Sequence, residues 1–489
     1  MGEASPGEIL RPLLLLWLLV LALYPLARKL AGDVAWAGIL LTIFVFGFYF
    51  EQNYFVIVVS LVAAMLLIML GYCIIMRRRF QISHLSWSLT LMSAALLAVQ
   101  STILFSRLNA IPRSYYDAMA GRTESLAVPL QEPASGLKPD IYYIVVDNYP
   151  GKDVLKDFLG YDNSAFLNEL KDLGFIVPEE VLSNYPRTAL SISSTLDMQY
   201  WESIAPDMEN VTYWWPTRPV LEQSRVRASL EAIGYQSVSV ASDWQLTNNV
   251  TTDQYLKPFP VILTQYEDLI VTSTALRILH RPLQDIAPVR NNATHRRFFS
   301  YAMETLKQLP ATPGPKFVFV HILPPHPPFV FNADGSPIDS DAVFRFGHPV
   351  GFSEEQYRAH FIAHVEYVNG ELKSAFETIL EKSTTPPIII LQADHGSATS
   401  ISFDSVDVGC LKERFSALGA YYLPGKEPGL IPQDMTAVNI FRIVLNEYFG
   451  ADLSLLENYQ YFTKGNYLFA GMQEVTGRVQ RGCSVPGKE

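Results

Sequence analysis

Charge is missing from this chain where its apolar residues are densest. Four successive stretches, 12–27, 34–50, 52–76 and 85–106, contain no Asp, Glu, Lys or Arg. Each can cross, or nearly cross, a hydrocarbon core that takes about 20 helical residues. The first carries Pro25 and competes with a signal peptide, but no small-residue cleavage site follows it and three further stretches come directly after, as expected of a retained helix. Arg28 and Lys29 lie between the first two stretches and Arg77, Arg78 and Arg79 between the last two, whereas the turn Glu51-Gln52-Asn53 has no basic residue. Basic loops stay cytoplasmic, so four spans place the N-terminus and everything after Arg107 on the outer side. Residues 1–107 are therefore expected to form a four-helix transmembrane region, multi-pass in the plasma membrane, followed by extracytoplasmic chain.

Composition supports this division. A hydrophobic share of 49%, a charged share of 17% and a mean hydropathy of +0.15 are too apolar for one evenly mixed soluble globule, and 12% aromatic residues exclude a disordered chain. Three cysteines in 489 residues exclude a disulfide scaffold and a Cys₄ zinc module. With a net charge of −11 and no run of five Lys or Arg, nothing supports a nucleic-acid partner. After Arg107 the chain holds 30 of the 37 basic and 44 of the 48 acidic residues, a net of −14. An outer domain this acidic needs a local cation if it handles phosphate, which points to a metal.

Residues 108–139 are polar and broken by Pro112, Gly121, Pro129, Pro133 and Gly136, the pattern of a linker. From 140 to about 480, short apolar runs alternate with helical periodicity. Strands are expected at 141–146, 237–240, 316–322 and 387–392, and helices at 164–173, 296–309 and 354–382. Runs such as Tyr142-Tyr143-Ile144-Val145-Val146 suit a sheet covered on both faces, so this part is expected as an α/β domain with a central, mostly parallel sheet flanked by helices.

Ligands gather at the carboxyl ends of such strands. Strand 141–146 runs into Asp147-Asn148, strand 316–322 brings His321 and then His326, and strand 387–392 ends at Asp394-His395-Gly396. In Ser183-Asn184-Tyr185-Pro186-Arg187-Thr188, Thr188 opens the helical run 189–198, where free N–H groups and a positive dipole end meet an anion. Two aspartates, a histidine and a threonine supply three oxygens and a nitrogen to one divalent cation, and a metal-bound threonine hydroxyl becomes a competent nucleophile. Singly, each residue has an ordinary role as a cap, a turn former or a packed ring. Their common placement at strand ends carries the functional reading.

The strings 139–147, Gly160-Tyr161-Asp162-Asn163-Ser164, 183–191 and Asp394-His395-Gly396, together with Asn439-Ile440-Phe441-Arg442 and Tyr448-Phe449-Gly450, resemble the sulfatase-like branch of the alkaline phosphatase superfamily. In layout the chain is similar to its membrane-anchored lipoteichoic acid synthases and phosphoethanolamine transferases. The resemblance implies that Asp147, Thr188, Asp394 and His395 are metal ligands, with Thr188 also the nucleophile. It implies that His321 and His326, five residues apart, contact the phosphoryl group or protonate the leaving oxygen, and that Asn148 and Arg187 sit at the substrate. Two departures narrow the reading. Thr188 stands at the nucleophile position and no Cys occurs between Cys73 and Cys410, which argues against a formylglycine sulfatase. His395 is the last histidine and the first motif offers one carboxylate, so a single-metal site fits; its oxygens favour Mn²⁺ or Mg²⁺, with Zn²⁺ possible through His395.

The expected function is transfer of a phosphoglycerol- or phosphoethanolamine-type head group from a phospholipid donor to a lipid or glycan acceptor, through a covalent Thr188 intermediate. The alternatives are a phosphodiesterase or phosphatase on the same scaffold and a non-catalytic membrane binding protein. The cluster Tyr213-Trp214-Trp215 suits either a membrane interface or ordinary packing. Cys410 and Cys483 both fall where a disulfide can persist.

Overall fold

The computed structural model describes residues 6–31, 111–133, 136–260, 263, 267, 291–338, 352–465, 468, 469 and 471–481. Two compact units divide the chain, one of 3–110 with 260–289 and one of 111–259 with 290–489. In the first, helix α1 (Pro6–Ala31) covers the first expected span and leaves Leu14, Leu15, Leu18 and Leu21 more than half exposed. No helix among the described residues is long and apolar enough to cross a membrane. The other three expected spans lie outside the described residues, as do Cys73 and Cys483.

The second unit is built on a sheet whose central strands are largely apolar and fully buried. Its strands are β1 (Ile141–Val146), β3 (Gln236–Val240), β4 (Gln254–Leu256), β5 (Lys316–Ile322), β6 (Ile388–Ala393) and β7 (Gly419–Tyr422), in the order β4-β3-β5-β1-β6-β7. Only the β6–β7 pair is antiparallel. Strands β2 (Glu180–Leu182) and β8 (Asp434–Thr436) form a small parallel pair beside it.

The helices that matter here are α2 (Arg113–Ser125), α3 (Lys152–Leu159), α4 (Ser164–Asp172), α5 (Thr188–Asp197), α6 (Arg225–Ala232), α7 (Asn292–Gln308), α8 (Glu354–Lys382), α9 (Leu411–Phe415) and α10 (Ile440–Phe449). Alternation along β1 sends Tyr142, Ile144 and Val146 to a core shared with α3, α4, α7 and α8, and Ile141, Tyr143 and Val145 to one shared with α5, α6 and α10. Both faces are therefore dry, the physical reason for a run as apolar as β1. The strands and helices expected from periodicity all form, with bounds shifted by at most four residues.

Register brings the polar strand ends together. Val146 pairs with Ile322 of β5 on one side and with Ala393 of β6 on the other, so Asp147, the end of β5 and Asp394 emerge on one edge of the sheet. β1 sits between the other two, which puts Asp147 at the centre of that edge.

Within the stretch expected as a linker, 108–139, the described residues 111–133 are more ordered than the Pro and Gly content suggests. Ile111 and Tyr115 are buried with Tyr185, Ala189 and Trp201, and Arg122 of α2 makes a two-pronged ion pair with the fully buried Asp197 at the end of α5, at 2.5 and 3.0 Å. The aromatic cluster is half-buried against the domain: Trp215 meets Tyr115 edge-on at 6.3 Å and Trp214 meets Trp244 at 5.9 Å. Cys410 is disulfide-bonded.

Candidate functional site

Asp147 leaves β1 and the chain turns at once, because Asn148 adopts a left-handed conformation at φ 60°, which Asn tolerates better than most residues. That turn aims the Asn148 N–H at Asp394 Oδ1, 3.0 Å away, and the His395 N–H reaches the same oxygen at 2.9 Å. With Oδ1 committed to two amides, Asp394 presents Oδ2 to the site, 3.0 Å from His395 Nε2. Gly396 is needed next, since a Cβ there would collide with the carbonyl oxygens of Glu413 and Ser416.

The histidines are oriented by their other nitrogens. His395 Nδ1 lies 3.1 Å from the Gly396 carbonyl, an acceptor only, so Nδ1 carries the proton and the Nε2 lone pair faces Thr188 Oγ1 at 3.1 Å. His321 Nδ1 lies 2.8 Å from Thr247 Oγ1, and that hydroxyl has the Trp244 carbonyl to donate to at 3.1 Å. His321 Nδ1 then donates, which leaves its Nε2 lone pair towards Asp147 Oδ2 at 3.7 Å.

One ligand-type atom each from Asp147, His321 and Asp394 lie within 4.8 Å of one another, all three residues buried. Asp147 Oδ1, Asp394 Oδ2 and His321 Nε2 are buried with no hydrogen-bond partner. Three orphaned lone-pair atoms converging in a dry site are what a divalent cation satisfies, so the residues fit a metal. Burial pushes Asp147 up to about 7, and burial followed by the charge of Asp147 pushes Asp394 up to about 8. Burial, then the charge of His326, drives His321 down to about 3. Burial and then Arg414 hold His395 well below its ordinary value.

The structure brings Asp147, Asn148, Thr188, His321, Asp394 and His395 into one cluster. His321, expected at the substrate, sits with the two carboxylates. His326 is half-buried, its Nδ1 2.6 Å from the Pro327 carbonyl, and its charge acts on both His321 and His395. Arg187 caps α5 through its backbone, while its guanidinium donates to the Gly465 carbonyl and lies over the Phe403 ring.

Sequence reasoning missed three contributors. Arg414, buried on α9, donates from Nη2 to His395 Nε2 at 2.8 Å, from Nη1 to Asn148 Oδ1 at 3.2 Å and the Gly396 carbonyl at 2.8 Å, and from Nε to the Pro186 carbonyl at 2.9 Å. Tyr357 of α8 hydrogen-bonds the Asn148 side chain, and burial pushes its hydroxyl up to about 12. Thr247 sets the proton of His321. Tyr357 and Arg414 lie more than 200 residues from Asn148, and only the run Lys412-Glu413-Arg414 before a short strand was there to mark one of them.

No family model and no curated protein matches the chain. Among solved structures it is similar to the C-terminal periplasmic domain of EcEptC from Escherichia coli, at 14% identity over 72% of this chain and 97% of that one, with a TM-score of 0.43. The corresponding domain of the phosphoethanolamine transferase EptC from Campylobacter jejuni matches at 10% identity over 66% and 92%, with a TM-score of 0.42. The phosphonate monoester hydrolase of Agrobacterium radiobacter matches at 12% identity over 66% and 80%, with a TM-score of 0.40.

Proposed function

We propose that this chain is a metal-dependent phosphoryl-transfer enzyme that moves an ionised phosphorus-linked head group through a covalent bond to Thr188. The observation that carries it is Thr188 Oγ1 at the N-terminus of α5, 3.1 Å from the His395 Nε2 lone pair and beside the orphaned atoms of Asp147, Asp394 and His321. Asp147, Asp394 and His321 would hold the cation, with Thr188 Oγ1 and His395 beside them. Bound there, the metal neutralises the carboxylates and acidifies the threonine hydroxyl; oxygen-rich ligation favours Mn²⁺ or Mg²⁺ over Zn²⁺.

Thr188 Oγ1 attacks phosphorus and gives its proton to the Asp394 carboxylate beside it, which burial makes the more basic group. The bond from phosphorus to the leaving oxygen breaks, and His326, its Nδ1 held by the Pro327 carbonyl, supplies the proton that oxygen needs. The free amides of the α5 N-terminus meet the developing negative charge. An acceptor hydroxyl then attacks the same phosphorus and gives its proton to His326, the bond to Thr188 Oγ1 breaks, and Thr188 takes its proton back from Asp394.

Thr188 is 7% exposed, and a site this dry holds back bulk water, which supports transfer over hydrolysis. The disulfide at Cys410 supports an oxidising, extracytoplasmic setting, and the apolar N-terminal quarter supports a donor drawn from the membrane, a phospholipid with a lipid or glycan acceptor. Peptide mass spectrometry after incubation with Mn²⁺ and phospholipid vesicles tests the reading. A phosphoryl-linked adduct is expected on the Thr188 peptide and none in Thr188→Ala. Turnover in Thr188→Ala equal to the parent's would remove Thr188 from the mechanism.

A further inference from the structure

Four of the five residues 324–328 are prolines, so the segment after β5 that carries His326 has almost no backbone donor with which to hold itself. The His326 N–H closes one turn onto the Leu323 carbonyl at 2.8 Å. Beyond the prolines, the N–H groups of Val330 and Phe331 both point at one atom, Nε2 of His364 on α8, at 2.7 and 3.0 Å. An imidazole nitrogen that accepts twice carries no proton, so the proton of His364 is on Nδ1.

His364 is fully buried. Burial, followed by the charges of His295 and His360, holds it down to about 3, so it remains a neutral acceptor near neutral pH. Its Nδ1 is buried with no hydrogen-bond partner, although the Pro325 carbonyl acts on the ring. A leucine of similar volume would avoid the cost of that N–H, but it would leave two amides without an acceptor. The ring therefore serves the loop rather than the core around it.

The helix face around His364 is turned to the same loop. Tyr357, His360 and His364, three and four residues apart, enclose the Phe329 ring at centroid distances of 5.2, 5.8 and 5.2 Å, and Phe331 packs on Tyr367 at 4.7 Å. Tyr357 also reaches the Asn148 side chain, beside Asp147 at the end of β1. The first turn of α8 is fixed by a reciprocal cap, in which Ser353 Oγ accepts the Gln356 N–H at 3.2 Å and Gln356 Oε1 accepts the Ser353 N–H at 2.9 Å. One helix thus sets the His326 loop against the turn that carries the carboxylate cluster.

We infer that His364 is the positioning residue for His326: by accepting both amides it fixes the loop so that the His326 ring, its Nδ1 already committed to the Pro327 carbonyl at 2.6 Å, meets the oxygen that leaves phosphorus. This rests on the phosphoryl-transfer reading, in which the bond from phosphorus to that oxygen breaks and His326 protonates it. An alkoxide leaving group needs that proton, whereas a 4-nitrophenolate leaves without it. Loss of His364 is therefore felt in step with the basicity of the leaving group, which a general loosening of the fold would not produce.

The test uses the full-length Mn²⁺-loaded protein and two donors, bis(4-nitrophenyl) phosphate and phosphatidylethanolamine vesicles. The Thr188 adduct is followed by mass spectrometry, and each variant is checked for its melting temperature. His364→Leu is expected to slow the adduct from phosphatidylethanolamine at least about tenfold, since a positioned acid contributes about 10²–10⁴-fold, and to leave the 4-nitrophenyl donor almost unchanged. His364→Gln, whose Oε1 can accept both amides, is expected to restore most of the loss. His326→Ala is expected to show the same donor dependence, and adding His364→Leu to it to cost nothing further. Where His364→Leu does not fold, His364→Asn, too short to reach both amides, carries the same expectation. Equal slowing with both donors, no slowing in a folded variant, or a further loss in the double variant overturns the positioning role and keeps the transfer reading. His326→Ala as fast as the parent with both donors overturns His326 as the acid and the inference with it; a parent without adduct from either donor overturns the covalent reading on which both rest.

Discussion

Asp394 has its two oxygens in different trades: Oδ1 takes the amides of Asn148 and His395, and Oδ2 faces the site with no partner. Asp394→Asn keeps a carbonyl oxygen for the amides and removes only the charge. Metal content is expected to fall and affinity to drop by more than the about 10–100-fold seen on losing an outer partner of a metal site. Stoichiometric metal in Asp394→Asn, measured by elemental analysis, would take Asp394 out of the ligand set. At this scale the sequence was legible where chemistry is written in short strings: Asp147-Asn148, Arg187-Thr188 and Asp394-His395-Gly396 all reach one cluster. Arg414 and Tyr357 were not legible, because their contacts to Asn148 cross from α9 and α8 and no local pattern distinguishes a buried arginine or tyrosine from an exposed one.

Among the elements, α5 carries Thr188 at one end and a buried charge at the other. Asp197 is fully buried and takes both prongs of Arg122 from α2, with further contacts from the Arg225 amide at 3.3 Å and Arg225 Nε at 3.8 Å. Arg122→Met keeps most of the volume and strands that carboxylate, so a loss of about 3 kcal/mol is expected in denaturant unfolding, the low end for a broken buried pair because Arg225 remains. A change below about 0.5 kcal/mol, the size of an ordinary surface substitution, would show that α2 does not brace α5. Strands and long helices were readable because their periodicities match one-dimensional burial patterns. The order of 111–133 was hidden because its proline and glycine content outweighed the few anchors, Ile111, Tyr115 and Arg122, that dock it.

For the whole molecule, the two raised carboxyl groups tie stability to pH and metal. Asp147 and Asp394 titrate near 7 and 8 in the folded state, above their ordinary range. The folded protein then binds more protons than the unfolded chain between about pH 4 and 8, so these groups make stability fall as pH rises through that window. His321, down to about 3, acts the other way, but only up to the ordinary histidine value near 6.5. Above pH 6.5 the carboxyl groups act without that opposition. With chelator present, the melting temperature is expected to fall from pH 6.5 to 8, and saturating Mn²⁺ to abolish or reverse that slope, since the cation binds the ionised carboxylates. Parallel profiles with and without Mn²⁺ would mean that no metal couples to this pair.

The sequence by itself determined the α/β architecture, the strand ends that carry the polar cluster and the placement of Thr188 at a helix start, because hydrophobic period and short polar strings are local properties. It could not decide which carboxylate oxygen stays free, which nitrogen of each histidine holds the proton, or which distant guanidinium groups close on the site. Those follow from parallel register and packing, which place Val146 beside Ile322 and Ala393 and bring α9 onto the same edge. Orientation and charge compensation depend on neighbours that only the folded chain supplies.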